Sequence, residues 1–180
     1  MRVISGIYRG RKITGPKGEQ FRPTLDRVKE SIFNVLSADV MNSGVLDLFC
    51  GSGSLGIEAL SRGARHATFV DKDKQVLSIA RANVESLGIG QMSSFVLMDA
   101  FKYCENSAGF FHDIVFADPP YDKMYGCQLC ECFLKYSILK KSGIFILERY
   151  KKDSPIMIGF KLVKKLTFGQ TEVDFYIKED

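Results

Sequence analysis

Apolar positions along this chain follow two rhythms that take turns. Short runs rich in β-branched and aromatic residues fall at 45–49 (Val-Leu-Asp-Leu-Phe), 67–71 (Ala-Thr-Phe-Val-Asp), 94–98 (Ser-Phe-Val-Leu-Met), 114–117 (Ile-Val-Phe-Ala) and 143–147 (Gly-Ile-Phe-Ile-Leu). That is the pattern of strands covered on both faces. Between them, apolar residues recur at helical spacing over 54–62, 73–87 and about 122–137, with a weaker stretch at 99–108. Residues 73–87 carry the clearest stripe (Val76, Leu77, Ala80, Val84, Leu87), and Gly88 is its stop. A further helix is predicted from Pro23-Thr24, with Leu25, Val28, Ile32, Val35 and Leu36 toward the core and Asp26, Arg27, Lys29 and Glu30 on the polar side.

Strand and helix in alternation predict an α/β, Rossmann-like fold with a doubly wound, mostly parallel sheet. The end of the chain breaks that rhythm. Phe160–Leu166 and Val173–Ile177 are both β-like, and the short link Phe168-Gly169-Gln170-Thr171 between them leaves no room for a crossover helix. Two strands that close must be antiparallel, so a seven-stranded sheet with an antiparallel last strand is expected. Residues 150–159, with Lys151, Lys152, Asp153, Pro155 and Gly159, read as a loop or a single turn. At the other end, Met1–Ser5 and Arg11–Thr14 flank glycines and predict a small N-terminal β-hairpin. The expected division is therefore a basic hairpin or arm over 1–22 and one compact unit over 23–180.

Charge sharpens that division. The 180-residue chain has a net charge of only +4, but residues 1–30 hold eight basic side chains (Arg2, Arg9, Arg11, Lys12, Lys17, Arg22, Arg27, Lys29) against three acids (Glu19, Asp26, Glu30). A concentrated positive segment beside a near-neutral body is the footprint of polyanion binding, and Tyr8 adds a ring that can stack on a base. No run of about 18 uncharged apolar residues and no signal-peptide core is present. The expectation is a cytoplasmic protein with no membrane contact. Cys127-x-x-Cys130-x-Cys132 sits within a helical pattern and has no second ligand cluster, so buried thiols are expected and no metal.

The candidate chemistry lies at strand ends. Val45–Phe49 runs into Cys50-Gly51-Ser52-Gly53-Ser54-Leu55-Gly56, a strand, tight turn and helix whose glycines let a ligand approach the backbone. Asp47, Asp71, Asp99 and Asp118 fall at the ends of four successive strands, where doubly wound sheets bind ligands. Asp71 is 24 residues after Asp47, and an acid at that strand end accepts hydrogen bonds from ribose hydroxyls. The turn alone also suits a nicotinamide dinucleotide.

Asp118-Pro119-Pro120-Tyr121 decides the choice. The Asp118 carboxyl and the Pro119 carbonyl can each accept one hydrogen of an amino group on a flat ring, while Tyr121 stacks on that ring. Holding both hydrogens favours pyramidalisation of a nitrogen that is otherwise a poor nucleophile.

With Asp71 and Asp99 between them, Asp47-x-Phe49-x-Gly51-x-Gly53 and Asp118-Pro-Pro-Tyr121 resemble an S-adenosylmethionine-dependent N-methyltransferase of class I. More narrowly, Ser5-Gly6-x-x-x-Gly10-Arg11-x-Ile13 and Arg22-Pro23-Thr24-x-Asp26-Arg27-Val28-Lys29-Glu30-Ser31-Ile32-Phe33-Asn34 resemble the bacterial family that methylates guanine N2 in 16S ribosomal RNA. The resemblance implies S-adenosyl-L-methionine as cofactor, held by Asp47, Phe49, Gly51, Gly53, Asp71, Lys72, Asp99 and Ala100. It places the target base at Asp118, Pro119, Pro120 and Tyr121, and RNA contacts at Arg9, Arg11, Lys12, Arg22 and Arg27. The partner is then the small ribosomal subunit, with the enzyme a monomer. The sequence departs from that family at Ser5-Gly6, where two glycines are more usual, and at Phe168-Gly169, where a tyrosine often precedes the glycine. Three alternatives stay open on the residues: another amino acceptor (adenine N6 or a protein glutamine), a nicotinamide-dependent oxidoreductase, and a noncatalytic RNA-binding module.

Overall fold

A computed structural model describes residues 1–15, 26–120, 125–153 and 155–179. Arg22, Pro23, Thr24, Leu25 and Tyr121 lie outside the described residues.

The elements run in order α1 (Asp26–Leu36), β1 (Gly44–Leu48), α2 (Ser54–Ser61), β2 (His66–Asp71), α3 (Lys74–Leu87), β3 (Ser93–Leu97), α4 (Ala100–Asn106), β4 (His112–Ala117), α5 (Gly126–Lys135), β5 (Leu139–Tyr150), β6 (Phe160–Phe168) and β7 (Thr171–Lys178). The sheet order is β3-β2-β1-β4-β5-β7-β6. The first five strands pair in parallel, and β7 is antiparallel to both β5 and β6. This is the expected class I methyltransferase layout. Strand order reverses at β1 and β4, which carry Asp47 and lead to Asp118.

Each sheet face has its own core, as strands buried on both sides require. Val45, Phe69, Phe116, Ile146 and Phe175 face α1, α2 and α3. Leu46, Leu48, Val115, Phe145, Leu147 and Tyr176 face α4 and α5. Caps end the helices where the sequence provides them: the Asp73 carboxylate accepts from Gln75 N and Val76 N at the start of α3, and Gly88 at φ +72° ends it.

The N-terminal segment is docked on this body. Its hairpin reduces to one bridge, Arg2–Lys12, with backbone bonds such as Val3 N to Arg11 O. Val3 and Ile13 are buried in the same core as α1. The anchor is Glu58, fully buried in α2, whose carboxylate accepts from Ile4 N (2.8 Å), Ser5 N (3.0 Å) and Arg62 Nε (2.8 Å). Lys29 corrects its expected place on the polar face: it is buried, 3.5 Å from Glu58, and donates to Arg2 O and Ser54 Oγ. Gly6, at φ +84°, passes so near α2 that a Cβ would lie 1.8 Å from Ser61 O, which accounts for a glycine there.

Candidate active site

The turn from β1 to α2 is built on left-handed backbone. Phe49, Gly51 and Gly53 have φ of +56°, +56° and +75°. Phenylalanine rarely adopts that conformation, and strain of this kind collects where the backbone meets a ligand. Gly53 precedes α2 and has no side chain to cap it, so Asp47 performs the cap from the strand: its Oδ2 accepts from Gly56 N at 2.9 Å. Burial pushes the Asp47 carboxyl up to about 8; the Gly56 amide works against that rise and Asp71 adds to it.

The three glycines of the turn are not equivalent. A Cβ on Gly56 would strike the Phe69 ring at 2.4 Å, and one on Gly53 would press on Phe69 at 3.1 Å, so both serve packing behind the turn. At Gly51 the nearest atom would be 4.0 Å away. Gly51 alone opens onto free space, the room a ligand needs. Gly51→Ala is therefore expected to weaken cofactor binding at least about tenfold while costing only about 1–2 kcal/mol of stability through its positive φ. Calorimetric titration and thermal melting check the two halves.

Asp71 faces the same turn. Its Oδ2 accepts from Gly51 N at 3.2 Å and its Oδ1 from Asp73 N at 3.0 Å, and burial raises its pKa against the pull of those amides. Lys72 adds a backbone amide there, and its side chain is exposed. Asp99 caps α4 through Phe101 N (3.0 Å), and Ala100 is buried behind it. Rings link that helix start to the turn: Tyr125 stacks on Phe49 (centroids 6.1 Å apart, planes 18° apart) and meets Phe101 edge-on at 5.0 Å.

Asp118 follows β4 and is half-buried. Its carboxyl sits well above the usual carboxylate range, through burial first, then the neighbouring Glu148 and Asp47. Pro119 is buried and Pro120 exposed. Both border a shallow concavity together with Tyr125, Gly126, Glu148 and Arg149. The far wall is braced by ions: Arg149 donates to Asp174 (2.7 Å) and Glu172 (2.5 Å) on β7, and also to Asp153 O.

The structure thus gathers Asp47, Phe49, Gly51, Asp71 and Asp118 at one edge of the sheet, with Asp99 and Ala100 connected through the aromatic chain. Arg9, Arg11, Lys12 and Arg27 are exposed, and Arg11 donates to Ser86 O. Sequence reasoning missed Tyr125 and Glu148 in the concavity beside Pro119, and Asn83. The Asn83 side chain ties Thr14 of the N-terminal segment to Ser52 of the glycine turn. An acid directly after the apolar run 143–147 was a visible signal for Glu148. Among the described residues no group of three or more His, Cys, Asp or Glu could hold a metal, and no helix is long and apolar enough to cross a membrane.

The sequence matches the family described as Conserved hypothetical protein 95 over residues 1–177. Bacillus subtilis YlbH, provisionally named an rRNA methyltransferase, is 36% identical over 184 residues, or 99% of each chain. A Haemophilus influenzae protein named ribosomal RNA small subunit methyltransferase D is 36% identical over 182 residues, covering 98% of this chain and 93% of its own. The solved structure of Escherichia coli yhhF, provisionally named a methyltransferase, superposes with a TM-score of 0.90 at 31% identity, covering 99% of this chain and 98% of that one.

Proposed function

The chain belongs to the Conserved hypothetical protein 95 family, and from that premise and the site we propose that it methylates the exocyclic N2 amine of a guanine in 16S ribosomal RNA. S-adenosyl-L-methionine is the methyl donor. The observation that carries the reading is the desolvated Asp118 carboxyl, joined to the buried Pro119 at the end of β4 and close enough to Asp47 of β1 to feel its charge.

The residues present suit this cofactor. Asp47, Asp71 and Asp118 are all desolvated carboxyls with raised pKa. Burial makes each of them costly to ionise, a cost that a positive charge relieves and a negative one adds to, so the site favours a cationic ligand over the anionic diphosphate of a dinucleotide. One of the first-turn amides of α2 that could meet a pyrophosphate, Gly56 N, is already taken by Asp47. Gly51 leaves room for the methionine portion, Asp71 has carboxylate lone pairs for the ribose, and Asp99 with Ala100 lies where the adenine would rest. When bound, the cofactor supplies an electrophilic methyl group.

The chain's own work is to prepare the amine. Asp118 and the Pro119 carbonyl hold its two hydrogens, which keeps the nitrogen lone pair out of the ring and aims it. The proton becomes acidic as the nitrogen bonds to carbon, and it passes to Asp118 in its ionised form or to water.

The exposed Arg9, Arg11 and Lys12 of the N-terminal segment supply phosphate contacts to the RNA. Replacing all three with alanine is expected to weaken RNA binding and reduce the slope of log affinity against log salt by about 3, at about 0.9 per lost contact. An unchanged slope in a filter-binding titration would remove these residues from the interface. Cells lacking the protein should lose N2-methylguanosine from 16S RNA, read by nucleoside mass spectrometry; unchanged N2-methylguanosine would refute the guanine assignment.

A further inference from the structure

The site described so far holds an amino group but does not say which base carries it. Adenine, cytosine and guanine all present an exocyclic amine on a flat ring. They differ at the neighbouring ring nitrogen, which is a donor N1–H in guanine and a bare lone pair in adenine and cytosine. A site that selects guanine therefore needs a second acceptor beside the one that takes the amine.

Glu148 stands in that position. The parallel pairing of β4 and β5 aligns Ala117 with Leu147, so Asp118 and Glu148 are the next residues along adjacent strands and project to the same sheet face. Neighbouring strands lie about 4.8 Å apart, near enough for the two side chains to converge on one base edge. Glu148 is 8% exposed, borders the same concavity as Pro119 and Pro120, and is the first charged neighbour acting on Asp118. Its backbone is pinned, because the next residue, Arg149, is held on the opposite face by Asp174 and Glu172.

We propose that Glu148 is the specificity residue for the base, accepting the ring N1–H of guanine while Asp118 accepts from the adjacent exocyclic amine. This rests on the guanine reading given under Proposed function. An adenine or cytosine in the same pose would place a lone pair against a buried carboxylate. A buried acceptor built for a donor rejects such analogues far more strongly than a pocket of the right shape alone. Tyr125 borders the concavity and stacks on Phe49.

The test compares small-subunit RNA carrying the target guanine with the same RNA made by splinted ligation with 2-aminopurine at that position. This base keeps the 2-amine but replaces N1–H with a lone pair. The wild-type protein is expected to prefer guanine by at least about a hundredfold in kcat/KM. Glu148→Gln, whose amide can donate as well as accept, should bring that ratio below about tenfold. Glu148→Asp should keep the preference at a lower rate. All three should be stabilised equally by S-adenosylhomocysteine. A wild-type enzyme that treats the two RNAs alike, or a Glu148→Gln protein that is stabilised normally and keeps the full preference, overturns the inference; the wild-type comparison stands whichever variant folds. Transfer to neither RNA would instead refute the guanine reading, and this inference with it.

Discussion

Asp118→Ala is expected to lower methyl transfer by at least about a thousandfold while leaving S-adenosylhomocysteine affinity within about twofold of wild type. Two contributions are lost together. Removing one preorganised hydrogen-bond partner of a reacting group costs about 10²–10³ in kcat, and a positioned proton acceptor adds about 10²–10⁴. Stability should be unchanged or higher, and the sign follows from the shift. The folded pKa lies well above the unfolded one, so above the unfolded pKa the ionised carboxyl opposes folding through burial, Glu148 and Asp47. Alanine removes that opposition at pH 7. A large loss of cofactor affinity, with kcat preserved, would mean that Asp118 holds the cofactor and not the base.

The second large effect lies away from the chemistry. Glu58→Ala removes at once the acceptor of Ile4 N, Ser5 N and Arg62 Nε and the partner of buried Lys29. Breaking a buried pair leaves an uncompensated charge, at about 3–5 kcal/mol, and burial already lowers the Lys29 pKa against the support of Glu58. For a domain of this size that is about 6–20 °C in Tm. The Ile4 and Ser5 amides should lose hydrogen-exchange protection. Adding Lys29→Met should recover part of the Tm but not that protection, since only Glu58 holds those amides. A shift under about 2 °C would show that Glu58 is not the anchor of the segment.

The pair Lys29 and Glu58 also marks where the sequence could be read and where it could not. Periodicity places an element whenever one face is apolar, and so all seven strands and all five α-helices were legible, as was the antiparallel end, because its connection is too short for a crossover. Lys29 defeats the same rule. Its charge reads as solvent-facing, and only an acid on another helix, 29 residues onward, makes its burial tolerable. β5 begins at Leu139, earlier than its apolar run suggests, because Leu139 pairs with His112 before a register shift.

The site divides the same way. Acids at strand ends and glycines in the turn can be found in sequence because their chemistry is local. That Gly51 faces open space while Gly53 and Gly56 pack on Phe69 depends on a strand elsewhere in the sheet. Glu148 gains its meaning only from its register beside Asp118, and Tyr125 from the distant rings of Phe49 and Phe101.

The most direct test incubates the purified protein with S-adenosylmethionine labelled in the methyl group and small-subunit RNA, naked and assembled, from cells lacking it, then digests the RNA and identifies the labelled nucleoside. The label should appear in N2-methylguanosine and nowhere else. Label in N6-methyladenosine, or none in the RNA of either form, would contradict an enzyme that presents a guanine amine at Asp118.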